Sequence, residues 1–316
     1  MNNCKVSVII PVLNGGTLWK QCIKAISNQI DCDFDVLVID SGSDDGSAEL
    51  ADEAGFDVVK IDKRDFDHGG TRQMGAHSLS DSDVIIYLTQ DAILEHPRSL
   101  ARLVEVFADP KVGMAYGRQL PREGASPIEA HARIFNYPAE SSMKCLDDVP
   151  RLGIKAAFTS NSFAAYRTEA LFHVGGFPES LILGEDMIVA ARMLQSDWTV
   201  AYVASACVKH SHAYTIAQEF RRYFDIGVLH HDEHWILEDF GKPEGEGARF
   251  IASELAYLRR ESPWLIPSAL TRTIAKLSGY KLGMQYHRLP KKMRRLLSMH
   301  RLHWDHKSSI RTDACT

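Results

Sequence analysis

The first half of the chain alternates short β-branched runs with helical segments, and this alternation is its strongest constraint on the fold. Residues 6–10, 35–39, 58–61, 84–88 and 112–116 are apolar runs, and segments with helical patterns at 19–28, 47–54, 71–78 and 97–107 separate them. Antiparallel neighbours can be joined by a two-residue turn, whereas parallel neighbours need a crossover that returns the chain to the same end. A helix between successive strands is such a crossover, so the expected class is α/β, with a mostly parallel central sheet flanked by helices. Ligands of such sheets bind beyond the carboxyl ends of the strands. The residues following each run are therefore the candidate site.

The second half is less regular. A strand-like run at 162–166, a helix at 168–174, a stop at Gly175-Gly176, a helix after Asp186 and a strand at 199–203 are expected to complete the sheet. From Thr215 onward helical patterns dominate, with a loop at 241–247 and a helix running from Ser262-Pro263 toward Tyr280. The expected organisation is a catalytic domain at 1–235, in halves 1–117 and 118–235, followed by a helical, basic region at 236–316.

Charge is uneven along the chain. Residues 276–307 hold nine Lys or Arg and one acid, Asp305, a local net charge of +8 against −5 for the whole chain, so the remainder carries −13. Such a tail suits an anionic surface. Nucleic acid is disfavoured, because the rest of the chain is acidic and no recognition motif appears. The N-terminal apolar run 6–13 is interrupted by Pro11, is too short to span a bilayer and lacks the flanks of a signal peptide, so a cytosolic location is expected. The six cysteines form no C-x-x-C pair, which argues for free thiols rather than a zinc cage or disulfides.

The strand exits carry the chemistry. The first, Pro11 to Gly16, contains glycines and Asn14 but is not the G-x-G-x-x-G dinucleotide fingerprint. The second places Asp40 at a strand end before a turn of small polar residues. A carboxylate only accepts hydrogen bonds, so at a nucleotide site it selects a base with an N3–H, uracil or thymine rather than cytosine. At the third, Gly69-Gly70 would let the backbone approach a ligand, and Arg72 is placed to bridge Asp40 or a diphosphate. The fourth reads Thr89-Gln90-Asp91, where Asp91 can coordinate a hard divalent cation, Mg2+ or Mn2+. Farther on, Glu185 and Asp186 open an apolar-periodic helix. Of His210 and His212, no more than one is expected to face the site, and His210 is the candidate beside Asp91. Arg221 and Arg222 on a later helix are candidate diphosphate ligands.

Taken in order, Pro11 and Asn14, the Asp40 turn, the Gly70–Arg72 helix start, Asp91, Gly175-Gly176-Phe177 and Glu185-Asp186 resemble the family 2 glycosyltransferases of GT-A fold over residues 5–225. The resemblance implies that Asp40 binds a pyrimidine, Asp91 the metal and diphosphate, and Asp186 the acceptor hydroxyl as general base, with Glu185 on the acceptor side. Pro11, Asn14, Asp40, Arg72, Gln90, Asp91, Arg221 and Arg222 would then bind the donor, and Asp91 with His210 the metal. Thr89 stands where the family usually shows the first acid of D-x-D. The Thr-Gln-Asp-Ala version, the 67–72 loop, the His210-Ser211-His212 segment, Arg221 to Asp225, Lys281-Leu282-Gly283 and Leu289-Pro290 are similar to bacterial rhamnosyltransferases that use dTDP-L-rhamnose. That implies a nucleotide-sugar donor, a glycan or lipid-linked glycan acceptor, and peripheral contact with the anionic cytoplasmic face of the inner membrane. The rivals are a UDP-hexose-dependent relative and a non-catalytic nucleotide-sugar-binding module.

Overall fold

A computed structural model describes residues 4–241 and 245–306. Its strands are β1 (Val6–Val12), β2 (Phe34–Asp40), β3 (Asp57–Lys60), β4 (Val84–Leu88), β5 (Ile93–Leu94), β6 (Val112–Leu120), β7 (Ser142–Lys144), β8 (Phe163–Arg167) and β9 (Thr199–Lys209). They form one sheet in the order β3-β2-β1-β4-β8-β6-β9-β5, with β7 also paired to β9. Strands β3, β2, β1 and β4 are parallel. β8 runs against both β4 and β6, and β9 runs parallel to β6. The carboxyl ends of β1, β2, β3, β4, β6 and β9 therefore share one edge with the amino end of β8.

The apolar runs are continuous because both faces of the sheet are covered. Ile9, Ile85 and Tyr87 point into a core with the helix Glu185–Gln195, while Val8, Ile10, Ile86 and Leu88 point into another with Trp19, Cys22 and Ile26. Pro11 lies in a central strand without breaking its ladder, since pairing with β4 has ended by Ile9 and only β2 remains beside it.

Beyond the sheet, the helix Ile216–Asp232 packs along Ile266–Gly283, and Glu246–Glu261 lies against Ile266–Gly283 and Pro127–Asn136. Two of these helices approach backbone to backbone. A Cβ on Gly279 would collide with the Phe220 carbonyl, one on Gly283 with the Phe224 carbonyl, and one on Gly227 with the Tyr280 carbonyl. The basic tail folds back onto the same helix. Leu289 and Leu297 pack against Phe224 and Val228, and Asp225 Oδ2 accepts the N–H groups of Met299 (2.8 Å) and His300 (3.2 Å). Met293, Leu296 and Leu302 leave part of the tail's apolar surface outside. Cys4, Cys22, Cys32, Cys145 and Cys207 are free thiols. Cys315, Lys307 and the middle of the expected 241–247 loop lie outside the described residues. Among those described, no helix is long and apolar enough to cross a membrane.

Overpacking a contact with no spare volume costs about 1–3 kcal/mol. Gly283→Ala is expected to lower stability by about that amount in urea unfolding, and an unchanged midpoint would contradict the close helix crossing.

Candidate active site at the carboxyl edge of the sheet

Asp40 closes β2 and is almost fully buried. Its Oδ1 accepts the N–H groups of Gly42 (3.0 Å) and Ser43 (2.9 Å), which fixes the carboxylate. Its Oδ2 is buried and has no partner among the described residues. A buried acceptor without a donor is costly, and it is the form a site for a ligand N–H takes. The adjoining loop is held rigidly. Asn14, with φ 48°, donates its N–H to Ser43 Oγ (2.9 Å) and accepts from the Asp44 N–H (2.9 Å). Gln90 clasps Leu13 from both sides, accepting its N–H at 2.7 Å and donating to its carbonyl at 3.1 Å. Asn14 and Gln90 thus fix the loop beside Asp40 through its backbone.

Asp91 lies just past β4 and gathers groups from two other exits, those of β6 and β9. Arg122, two residues after β6, donates to Asp91 Oδ2 at 2.6 Å and to its carbonyl at 2.9 Å. His210 Nε2 stands 3.4 Å from Oδ1, and His212 Nδ1 stands 3.9 Å from Oδ2. The expectation of a single facing histidine fails, because residues two apart in extended chain share a face rather than oppose each other. Ligand atoms of Asp91, His210 and His212 lie within 4.8 Å of one another. Burial lowers the pKa of both imidazoles, which leaves them neutral and able to donate lone pairs. Burial opposes the charge on Asp91, but His210, His212 and the Thr89 side chain together outweigh it and keep the carboxyl well below its usual range. One carboxylate and two neutral imidazoles fit a divalent cation.

Asp186 is the second residue of the helix Glu185–Gln195 and remains partly open to solvent. Its Oδ2 accepts the Asn161 N–H (3.0 Å) and its Oδ1 its neighbour Met187's N–H (2.8 Å). Glu185 is buried, takes Asn161 Nδ2 at 3.1 Å and pairs with Arg72 at 3.2 Å, both side chains being 7% exposed. The protein around Asp186 disfavours its charge, Glu185 adds repulsion, and the Asp186 pKa is raised. A carboxylate with raised basicity on an open edge is suited to proton abstraction.

Two third-exit expectations are corrected. Arg72 sits on Glu185 and the His68 carbonyl (2.7 Å) rather than on Asp40. Gly69 makes room for the Pro178 carbonyl, not for a ligand, and Gly70 donates its N–H to the helix-capping Asp67 at 2.7 Å. Of the two arginines on the helix Ile216–Asp232, Arg222 is exposed with its guanidinium 5.9 Å from the Tyr214 ring centre, while Arg221 is half-buried.

The pattern of the family described as Glycosyl transferase family 2 matches residues 7–175, more than half of the chain. The O-antigen chain rhamnosyltransferase RfbN of Salmonella typhimurium is 47% identical over 302 residues, covering 95% of this chain and 96% of its own. This chain belongs to glycosyltransferase family 2. The O-antigen chain rhamnosyltransferase WbaN of Salmonella anatum is 44% identical over 300 residues, 95% of each chain. The fold is also that of the mannosyltransferase PcManGT from Pyrobaculum calidifontis, solved with GDP-Man and Mn2+, at TM-score 0.58 and 17% identity over 96% of this chain and 86% of that one.

In this family 2 glycosyltransferase the matched segment contains Asp40 and Asp91 but ends before Glu185 and Asp186. Sequence reasoning missed Arg122, Asn161 and Tyr137. Arg122 follows a strand whose end was placed at 116, four residues short of Leu120, so its exit was never read. Asn161 just precedes β8, which enters the site edge by its amino end, against its neighbours β4 and β6. Burial pushes the Tyr137 phenol up, and among its charged neighbours are Asp186 and Arg222, so it stands between the catalytic edge and the C-terminal helices.

Proposed function

We propose that the protein transfers L-rhamnose from dTDP-L-rhamnose to a hydroxyl of a lipid-linked glycan, with inversion, in the assembly of a bacterial O-antigen on the cytoplasmic side of the membrane. The observation that carries the reading is the likeness to two O-antigen chain rhamnosyltransferases over nearly the full length of the chain. The free Oδ2 of Asp40 supports the donor, because thymine offers an N3–H to an acceptor that otherwise has none.

In the proposed reaction Asp40 holds the base while Gln90 and Asn14 keep the surrounding loop in shape. Asp186 takes the proton of the acceptor hydroxyl as its oxygen attacks the anomeric carbon, and Glu185, held ionised by Arg72, keeps Asp186 in place and adds to burial in raising its basicity. Asp91, His210 and His212 would hold a divalent ion, Mg2+ or Mn2+, which supplies positive charge for the departing diphosphate. Arg122 and Arg222 add fixed positive charge beside the same position.

Membrane contact has its own support. The helix Ile266–Gly283 turns Arg272 and Lys276 inward and carries Leu270, Ile274 and Leu277 on its opposite side. Ile274 is 65% exposed, Leu277 55%, Trp264 74% and Leu296 61%, and the chain after this helix carries the lysines and arginines of the tail. An outward apolar stripe flanked by cations is the form of an interfacial helix. Ile274→Asp with Leu277→Asp is expected to abolish low-salt sedimentation with phosphatidylglycerol vesicles while phosphatidylcholine vesicles bind neither form. Equal sedimentation of both forms would contradict the contact.

Loss of a positioned base costs about 10²–10⁴ in rate. Asp186→Asn is expected to lose transfer by that factor while calorimetry returns unchanged affinity for dTDP and UDP, with CDP bound much more weakly. Because Asp186 acts only when ionised and its pKa is raised, the rate is expected to fall on acidification above the ordinary carboxylate range of about 4. Retained transfer in the variant, or equal binding of all three nucleotides, would overturn the assignment.

A further inference from the structure

A cavity of about 450 Å³ lies between the helix Pro127–Asn136, residues 211–215 and the helices Ile216–Asp232, Glu246–Glu261 and Ile266–Gly283. Its size falls within the roughly 300–1,000 Å³ of small-molecule sites. It borders the reaction centre, since His212 and Arg222 line it and His212 stands 3.9 Å from Asp91. Most of its wall lies beyond the segment shared with the family pattern.

The wall chemistry identifies the ligand class. Glu219 and Glu254 are buried carboxylates. Glu219 Oε1 meets Arg272 at 3.3 Å and Lys276 at 3.6 Å, yet its Oε2 is buried without a hydrogen-bond partner among the described residues, as is Arg272 Nε. Unpaired buried donors and acceptors in one cavity suit a ligand whose groups both give and take hydrogen bonds, as hydroxyls do. Tyr214, Tyr223 and Phe250 add rings against which a sugar's C–H face can pack. The cations are already faced by other groups. Lys276 lies 5.8 Å from the Tyr223 ring centre and 5.4 Å from that of Phe250, Arg222 lies over Tyr214, and Arg133 donates to Gln119. Glu219, paired with Arg272 and Lys276, and Glu254 beside them offset the charge of this end of the cavity, so positive charge for a phosphate is left at the Arg222 end, beside Asp91.

We propose that this cavity is an acceptor subsite for a neutral saccharide unit, separate from the reacting hydroxyl at Asp186 and from the nucleotide at Asp40. It rests on the glycosyl-transfer reading and deepens it. Glu219 Oε2 receives a sugar hydroxyl, and the aromatic wall orients the ring. The cavity thereby reads the sugar already present in the growing chain.

The test uses saturation-transfer NMR on the full chain with the methyl glycosides of glucose, galactose, mannose and rhamnose, and 31P NMR with inorganic pyrophosphate, each with and without saturating dTDP. At least one glycoside is expected to bind and to stay bound when dTDP is added, while pyrophosphate bound in the absence of dTDP is displaced. Glu219→Gln and the space-filling Ala132→Trp are each expected to weaken that glycoside by about tenfold or more, about 1.4 kcal/mol, with dTDP affinity unchanged as proof of folding. Three results would overturn the subsite: no glycoside binds, dTDP displaces the glycoside, or both folded variants bind it as the wild type does. If dTDP itself failed to bind the wild type, the donor reading would fall while the glycoside result still reported on the cavity.

Discussion

The buried ion pair between Arg72 and Glu185 is the interaction on which the arrangement of the site depends. Arg72 belongs to the helix that follows β3, on the nucleotide side, and Glu185 opens the helix that presents Asp186. At 3.2 Å and with both side chains 7% exposed, neither charge can be left alone, because a buried pair that loses a partner costs about 3–5 kcal/mol. Asn161 ties the pair to the sheet, donating Nδ2 to Glu185 and accepting the Tyr166 hydroxyl at 2.6 Å. Asp186 is thus fixed by its neighbour, and burial first, then the same neighbour's negative charge, raises its basicity. The residue that positions the proposed base also adds to its reactivity.

The second organising feature is a shortage of negative charge at the metal site. Thr89, which brings no charge, stands two residues before Asp91, and its side chain helps to hold the Asp91 carboxyl ionised. Asp91 alone supplies a carboxylate, and Arg122 is bonded to it directly. His210 and His212 supply neutral nitrogen instead, which adds ligands without adding charge. The centre therefore carries its positive charge partly on the protein, in Arg122, beside where the diphosphate is proposed to leave.

Much of the nucleotide side was legible because its signals are local. Val84–Leu88 reads as a strand from five consecutive apolar residues, and the structure has it at those bounds. Asp40 and Asp91 could be singled out since a polar residue ending a buried strand in a parallel sheet faces the ligand edge. The partners of Arg72, the role of Gly69 and the Arg122 contact were not legible, because each is decided by a segment distant in sequence. The histidine pair was misread for a different reason, the geometry of alternate residues in an extended chain. The cavity among the C-terminal helices draws its wall from four separate segments of the chain. No local pattern announces such a surface.

The central claim is that Asp186 activates the acceptor hydroxyl for direct displacement at the anomeric carbon. One displacement inverts that carbon, whereas two displacements through a carbohydrate-bound enzyme group would retain it. The decisive measurement is the anomeric configuration of the new glycosidic bond, read by NMR coupling constants against that of the nucleotide-sugar donor. The account predicts the opposite configuration in the product; the same configuration would contradict it.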